Sequence, residues 1–167
     1  MRGIAMPATG MKRLCLSALT IAAIAPSLVF AADPVATTDG EKSGVHIAVV
    51  DLKRSSGDTL TLRFNLINES ADKLELTGWY FGDYKGYQNQ DIGNLGAITL
   101  IDPVGKKKYF VVRDTDKNCV CSNDIKDVNS KSQTALWAKF PAPPADVRKI
   151  SVLIPHFMPL DDVPISQ

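Results

Sequence analysis

The strongest regularity in this chain is a period of two. Val45, Ile47 and Val49 alternate with His46, Ala48 and Val50, and Leu60, Leu62, Phe64 and Leu66 alternate with Thr61, Arg63 and Asn65. Successive side chains of an extended strand point to opposite faces, so this spacing predicts two strands with one apolar face each. Ser55-Ser56-Gly57-Asp58 breaks the pattern between them and predicts a turn. Asn68 to Asp72 predicts the next turn, followed by a strand over Lys73 to Trp79.

A second hairpin is predicted around Asp102-Pro103-Val104-Gly105, with Ala97 to Ile101 leading in and Lys107 to Arg113 leading out. Proline presets φ at the first central turn position and glycine accepts a positive φ, which predicts a type I turn closed by a bulge. Further strands are predicted over Gln133 to Phe140 and Arg148 to Ile154. The linker Pro141-Ala142-Pro143-Pro144-Ala145-Asp146 lacks backbone donors at its prolines, so it is expected to cross between sheets. The tail, with Pro155, Pro159 and Pro164, has room for a short edge strand at most. Roughly seven strands and almost no helical periodicity predict an all-β fold, an immunoglobulin-like antiparallel β-sandwich.

The N-terminus reads differently. Lys12 and Arg13 precede the apolar run Leu14 to Phe30, and small residues follow at Ala31-Ala32. A basic region, an apolar region of this length and a small-residue cleavage point predict an export signal over residues 1–31. Met11 is an alternative start to Met1, because Met11-Lys12-Arg13 already supplies the basic region. Thr20, Pro26 and Ser27 interrupt the run, which argues against a transmembrane anchor, for which about 20 apolar residues are needed. Cys15 follows Leu14 at the start of the run, which is the wrong place for acylation. The expected organisation is a cleaved signal over 1–31, a flexible leader or first edge strand over 32–43, and the sandwich over 44–167. The expected compartment is the periplasm or the extracellular space.

Cleavage would remove Arg2, Lys12 and Arg13 and leave 16 basic against 18 acidic residues, a charge of about −2. That balance disfavours a nucleic-acid partner, which requires a basic surface to neutralise phosphates. Lys106-Lys107-Lys108 is the one basic cluster, and it reads as a solvated hairpin end.

The run from Val49-Asp51-Leu52 through Asp58, Leu60, Leu62, Phe64 and Leu66 to Asn68 resembles the opening of telokin-like, immunoglobulin-like domains of secreted bacterial proteins. Leu136-Trp137-Ala138-Lys139-Phe140-Pro141-Ala142-Pro143 and Val152 to Pro155 are similar to the closing strands of the same domains. The resemblance implies a fold and an exported location, with an interaction or accessory role. It implies no catalytic residues.

Two segments carry candidate chemistry. Trp79, Tyr80, Phe81, Tyr84 and Tyr87 crowd into a glycine-punctuated stretch. Aromatic side chains on a loop offer large contact area with polar handles, so Tyr80, Tyr84 and Tyr87 are candidate partner-binding residues, with Trp79 and Phe81 assigned to the core. The second segment is Cys119-Val120-Cys121, the cysteines left after cleavage. In an oxidising compartment a disulfide is the default. Extended residues two apart rise about 6.6 Å, so closure requires a tight turn. Three readings stand: a local staple, free or intermolecularly paired thiols, and a thiol-redox or soft-metal site for copper(I) or zinc.

Asp114, Asp116 and Asn118 have the oxygen spacing that opens a calcium loop, but Cys119 stands where glycine is needed and Ile125 where glutamate is needed. A solvated acidic turn explains them. His46 and His156 are isolated, and neither a Gly-x-Ser-x-Gly nor a phosphate-loop motif occurs. No catalytic residue, metal site or cofactor is assigned. The expected function is a non-enzymatic binding domain acting on a protein partner through the aromatic loop or a sheet edge, with thiol-redox or soft-metal handling as the alternative.

Overall fold

The computed structural model describes residues 33–76, 81 and 93–167. Among these residues eight strands form: β1 (Ala36–Asp39), β2 (Val45–Ser55), β3 (Thr59–Asn68), β4 (Thr99–Asp102), β5 (Lys107–Phe110), β6 (Ser132–Pro141), β7 (Lys149–Leu153) and β8 (Leu160–Pro164). They make two four-stranded sheets, in the orders β1-β2-β3-β6 and β5-β4-β7-β8, with every neighbouring pair antiparallel. The fold is an immunoglobulin-like sandwich, with no helix among the described residues.

The period-two pattern explains the layers. Phe64 of β3 lies opposite Val49 of β2 and Leu136 of β6, so three buried side chains share one inward row. Leu62 and Leu66 continue that face, while Arg63 between them is exposed. Leu100, Ile150, Val152 and Val163 supply the facing layer from the second sheet. Each such side chain contributes about 1.5–3 kcal/mol relative to its exposed state.

The described residues form eight strands where the sequence predicts roughly seven. The leader gives β1, and the proline-bearing tail gives β8. The strand expected over Lys73 to Trp79 lies within the described residues only as far as Leu76, and of these four residues Leu74 alone pairs, in a single bridge to Val128. Two residues on, the Leu76 N–H donates to the Asp127 carboxylate at 3.0 Å and not to a neighbouring strand. The β4–β5 turn also departs from expectation. Lys106, and not Gly105, takes the left-handed φ of 51°. Gly105 is needed for room: a Cβ there would stand 2.3 Å from Asp102 Oδ2, whose carboxylate accepts the N–H groups of Val104 and Gly105.

The proline linker crosses from β6 in one sheet to β7 in the other. Arg54 holds it, donating to the carbonyls of Pro143 at 2.9 Å and Pro144 at 2.8 Å.

Candidate functional site

After β5 the chain leaves the second sheet and comes alongside β6. Val112 N–H donates to the Lys139 carbonyl at 2.8 Å. A small hairpin follows, closed where Arg113 pairs with Cys119. The Asp114 carboxylate accepts the N–H groups of Asp116 and Asn118, both at 2.9 Å, and so caps this turn. The three oxygen-bearing residues at calcium-loop spacing are therefore built into a turn.

The returning arm, residues 119–122, occupies the lane next to β6. Lys139 N–H donates to the Val120 carbonyl at 3.0 Å, and Cys121 sits opposite Ala138. Cys119 and Cys121 have their sulfurs at bonding distance, and their Cα atoms are 5.3 Å apart. That separation is shorter than the roughly 6.6 Å of a fully extended pair, so the arm is locally contracted. Both side chains are buried, and the Leu95 N–H donates to Cys121 Sγ at 3.4 Å.

The ladder beside β6 ends at Ser122. Its N–H donates to the Trp137 carbonyl at 2.8 Å, and its hydroxyl accepts the Trp137 N–H at 3.0 Å. From there the chain turns away. Ile125 N–H donates to the Gly93 carbonyl at 3.0 Å, and Val128 exchanges both backbone bonds with Leu74. Asp127 receives Lys73 Nζ at 2.9 Å as well as the Leu76 N–H. These contacts, the lysine first, hold the Asp127 carboxyl below its ordinary range; the same hydrogen bond raises Lys73.

Among the described residues the first half of β6 is consequently left without a neighbouring strand on its side away from β3. Trp137 and Lys139 direct their backbone groups away from β3, and the β3–β6 register is regular, so Ala135 and Gln133 do the same. Among the described residues neither has a hydrogen-bond partner for those outward groups. They face a groove of about 440 Å³, with Ser122, Ile125 and Val128 on one wall and Gln133, Ala135 and Leu136 on the other. Its charges are paired: Lys126 with Asp124, and Lys73 with Asp127.

Of the residues singled out from the sequence, Tyr80, Tyr84 and Tyr87 lie outside the described residues, as does Trp79. Phe81 is buried, stacked on Phe157 with ring centroids 6.2 Å apart. His156 pairs with Glu41 at 3.0 Å and His46 lies 3.9 Å from Glu69, so neither histidine is grouped with the cysteines. Among the described residues no cluster of three or more His, Cys, Asp or Glu side chains forms. The sequence predicts a sheet edge as a binding element without placing it on β6. The trace of that edge is compositional: β6 begins Ser132-Gln133-Thr134 and only later becomes apolar.

No family model, curated protein or solved structure matches this chain, so the functional reading rests on geometry.

Proposed function

We propose that this chain is an exported, non-enzymatic binding or accessory domain that joins another envelope or extracellular protein through the open half of β6. The observation that carries this reading is the unpaired, alternating backbone groups of Gln133 and Ala135 facing a groove. Unpaired edges are templates for another strand, and folded proteins ordinarily blunt them with charge, proline or brevity.

The other edges of this sandwich carry such protection. β1 has four residues, β5 opens with Lys107 and Lys108, and β8 contains Asp161, Asp162 and Pro164. The open half of β6 carries none: Ser132, Gln133, Thr134 and Ala135 are uncharged and include no proline. An unguarded edge beside a groove is the arrangement in which strand addition gives affinity through backbone bonds. The basic-apolar-small pattern of residues 1–31 and the resemblance to telokin-like secreted domains support the exported location.

The thiol-redox alternative has less support. Reactive thiols sit in partly exposed, electropositive surroundings, whereas Cys119 and Cys121 are buried in the contracted arm beside β6.

A photocrosslinking side chain at position 133, expressed in the source cells, tests the reading. The expected result is a discrete protein adduct that Ala135→Pro removes and that a crosslinker at Val104 does not give. No adduct from position 133, or the same adduct from position 104, would overturn it.

A further inference from the structure

Resting on the β6-edge reading, we infer that the occupant of this groove is a single extended, uncharged polypeptide segment with small apolar residues at alternate positions. It adds antiparallel to β6 in the lane that residues 119–122 vacate.

Three observations lead to this chemistry. The first is continuity. Residues 119–122 already form a lane beside β6, and the Ser122 hydroxyl closes it at Trp137. The groove is the continuation of that lane past Ala135 and Gln133. A strand there lies about 4.8 Å from β6 and meets two outward N–H and two outward C=O groups.

The second is the far wall. Residues 123–129 stand on the other side of the groove, held by the bonds of Ile125 to Gly93 and Val128 to Leu74. In an edge-to-edge pair of two copies, the partner's whole sheet would continue outward from this β6 at about 4.8 Å per strand, on the side where residues 123–129 stand. A free segment needs room for one strand only, whereas a second copy needs room for its sheet, so this wall favours the free segment.

The third is the lining. Residues directly opposite in an antiparallel pair share a face. Segment residues opposite Leu136 and Thr134 therefore point toward the interior side, where buried Leu136 and Val128 lie. Residues opposite Ala135 and Gln133 point to the solvent face. The lining carboxylates Asp124 and Asp127 are each matched by a lysine, so the groove offers no surplus charge and complements an uncharged segment.

The test uses the purified protein and the capped peptide Val-Thr-Val-Thr-Val, followed through backbone amide signals in NMR titration. In the inferred register the valines face inward and the threonine N–H groups point at β6. Methylating both threonine nitrogens should weaken binding at least tenfold. Methylating the inner valine nitrogen, which points away from β6, should leave it within about twofold. Ala135→Pro, which removes an outward N–H and leaves the β3 ladder intact, should also weaken binding, and raising the salt concentration should not. Binding equally sensitive to both methylation patterns, salt-sensitive binding, or no binding by any of these peptides would overturn the inference. A crosslink from position 133 in cells together with no peptide binding would overturn only the segment chemistry and leave the edge reading standing.

Discussion

Ser122 and Trp137 exchange both rungs of a ladder, one of them through a side chain. The Ser122 N–H donates to the Trp137 carbonyl at 2.8 Å while the Ser122 hydroxyl, in place of a carbonyl, accepts the Trp137 N–H at 3.0 Å. A hydroxyl completes the last rung without continuing the strand, so the backbone is free to turn away. This is how the fold leaves half an edge strand open.

Ser122→Ala removes that acceptor. Trp137 is partly exposed, so water takes over part of the bond, and the expected cost is about 1 kcal/mol or less. Urea unfolding checks the magnitude. Amide exchange should show the Trp137 N–H losing protection while Lys139, bonded to Val120, keeps it.

Arg54 is expected to matter more. Its guanidinium donates to Pro143 and Pro144 and also to Val147 at 3.3 Å, fixing the crossover between sheets. Hydrogen bonds from charged donors contribute about 1.5–3 kcal/mol, so Arg54→Ala should destabilise by about 2–3 kcal/mol in chemical denaturation. Lysine has no planar fork to reach several carbonyls at once, so Arg54→Lys should recover less than half of the loss.

The Lys73 and Asp127 pair sets a pH dependence. The native Asp127 carboxyl is depressed below the ordinary 3.8, through its hydrogen bonds from Lys73 and then from Leu76. The ionised form is therefore favoured by folding, and its contribution is present above about pH 5 and is lost as pH falls through the native value. Asp127→Asn should be less stable than the parent at neutral pH, and the gap should close in acid. The pair is exposed, so added salt should narrow the gap as well. A gap that widens in acid would contradict this assignment.

Much of the sandwich was legible in the residues. Leu60, Leu62, Phe64 and Leu66 fix one face of β3 by their spacing, and the same alternation places β2 and β6 around it. The prolines after β6 mark the crossover correctly. Less legible were elements whose pairing is decided at a distance. Lys73 to Leu76 carries the alternation of a strand, yet the Asp127 carboxylate, far along the chain, takes the Leu76 N–H in place of a ladder partner. Gly105 was assigned a positive φ that belongs to Lys106, because the Asp102 side chain and not the backbone sets the need for glycine. The open edge was hidden for a related reason. Nothing in Gln133 or Ala135 states whether a neighbour lies alongside; that depends on where Ser122 sends the chain.

The most direct measurement is residue-resolved amide hydrogen exchange along β6. Thr134 and Leu136 point their N–H groups at β3, whereas Gln133 and Ala135 point theirs into the groove. The protein without a partner should show strong protection at Thr134 and Leu136 and exchange at least a hundredfold faster at Gln133 and Ala135. Uniform protection from Gln133 to Leu136 would mean that the edge is already filled, and would contradict the account.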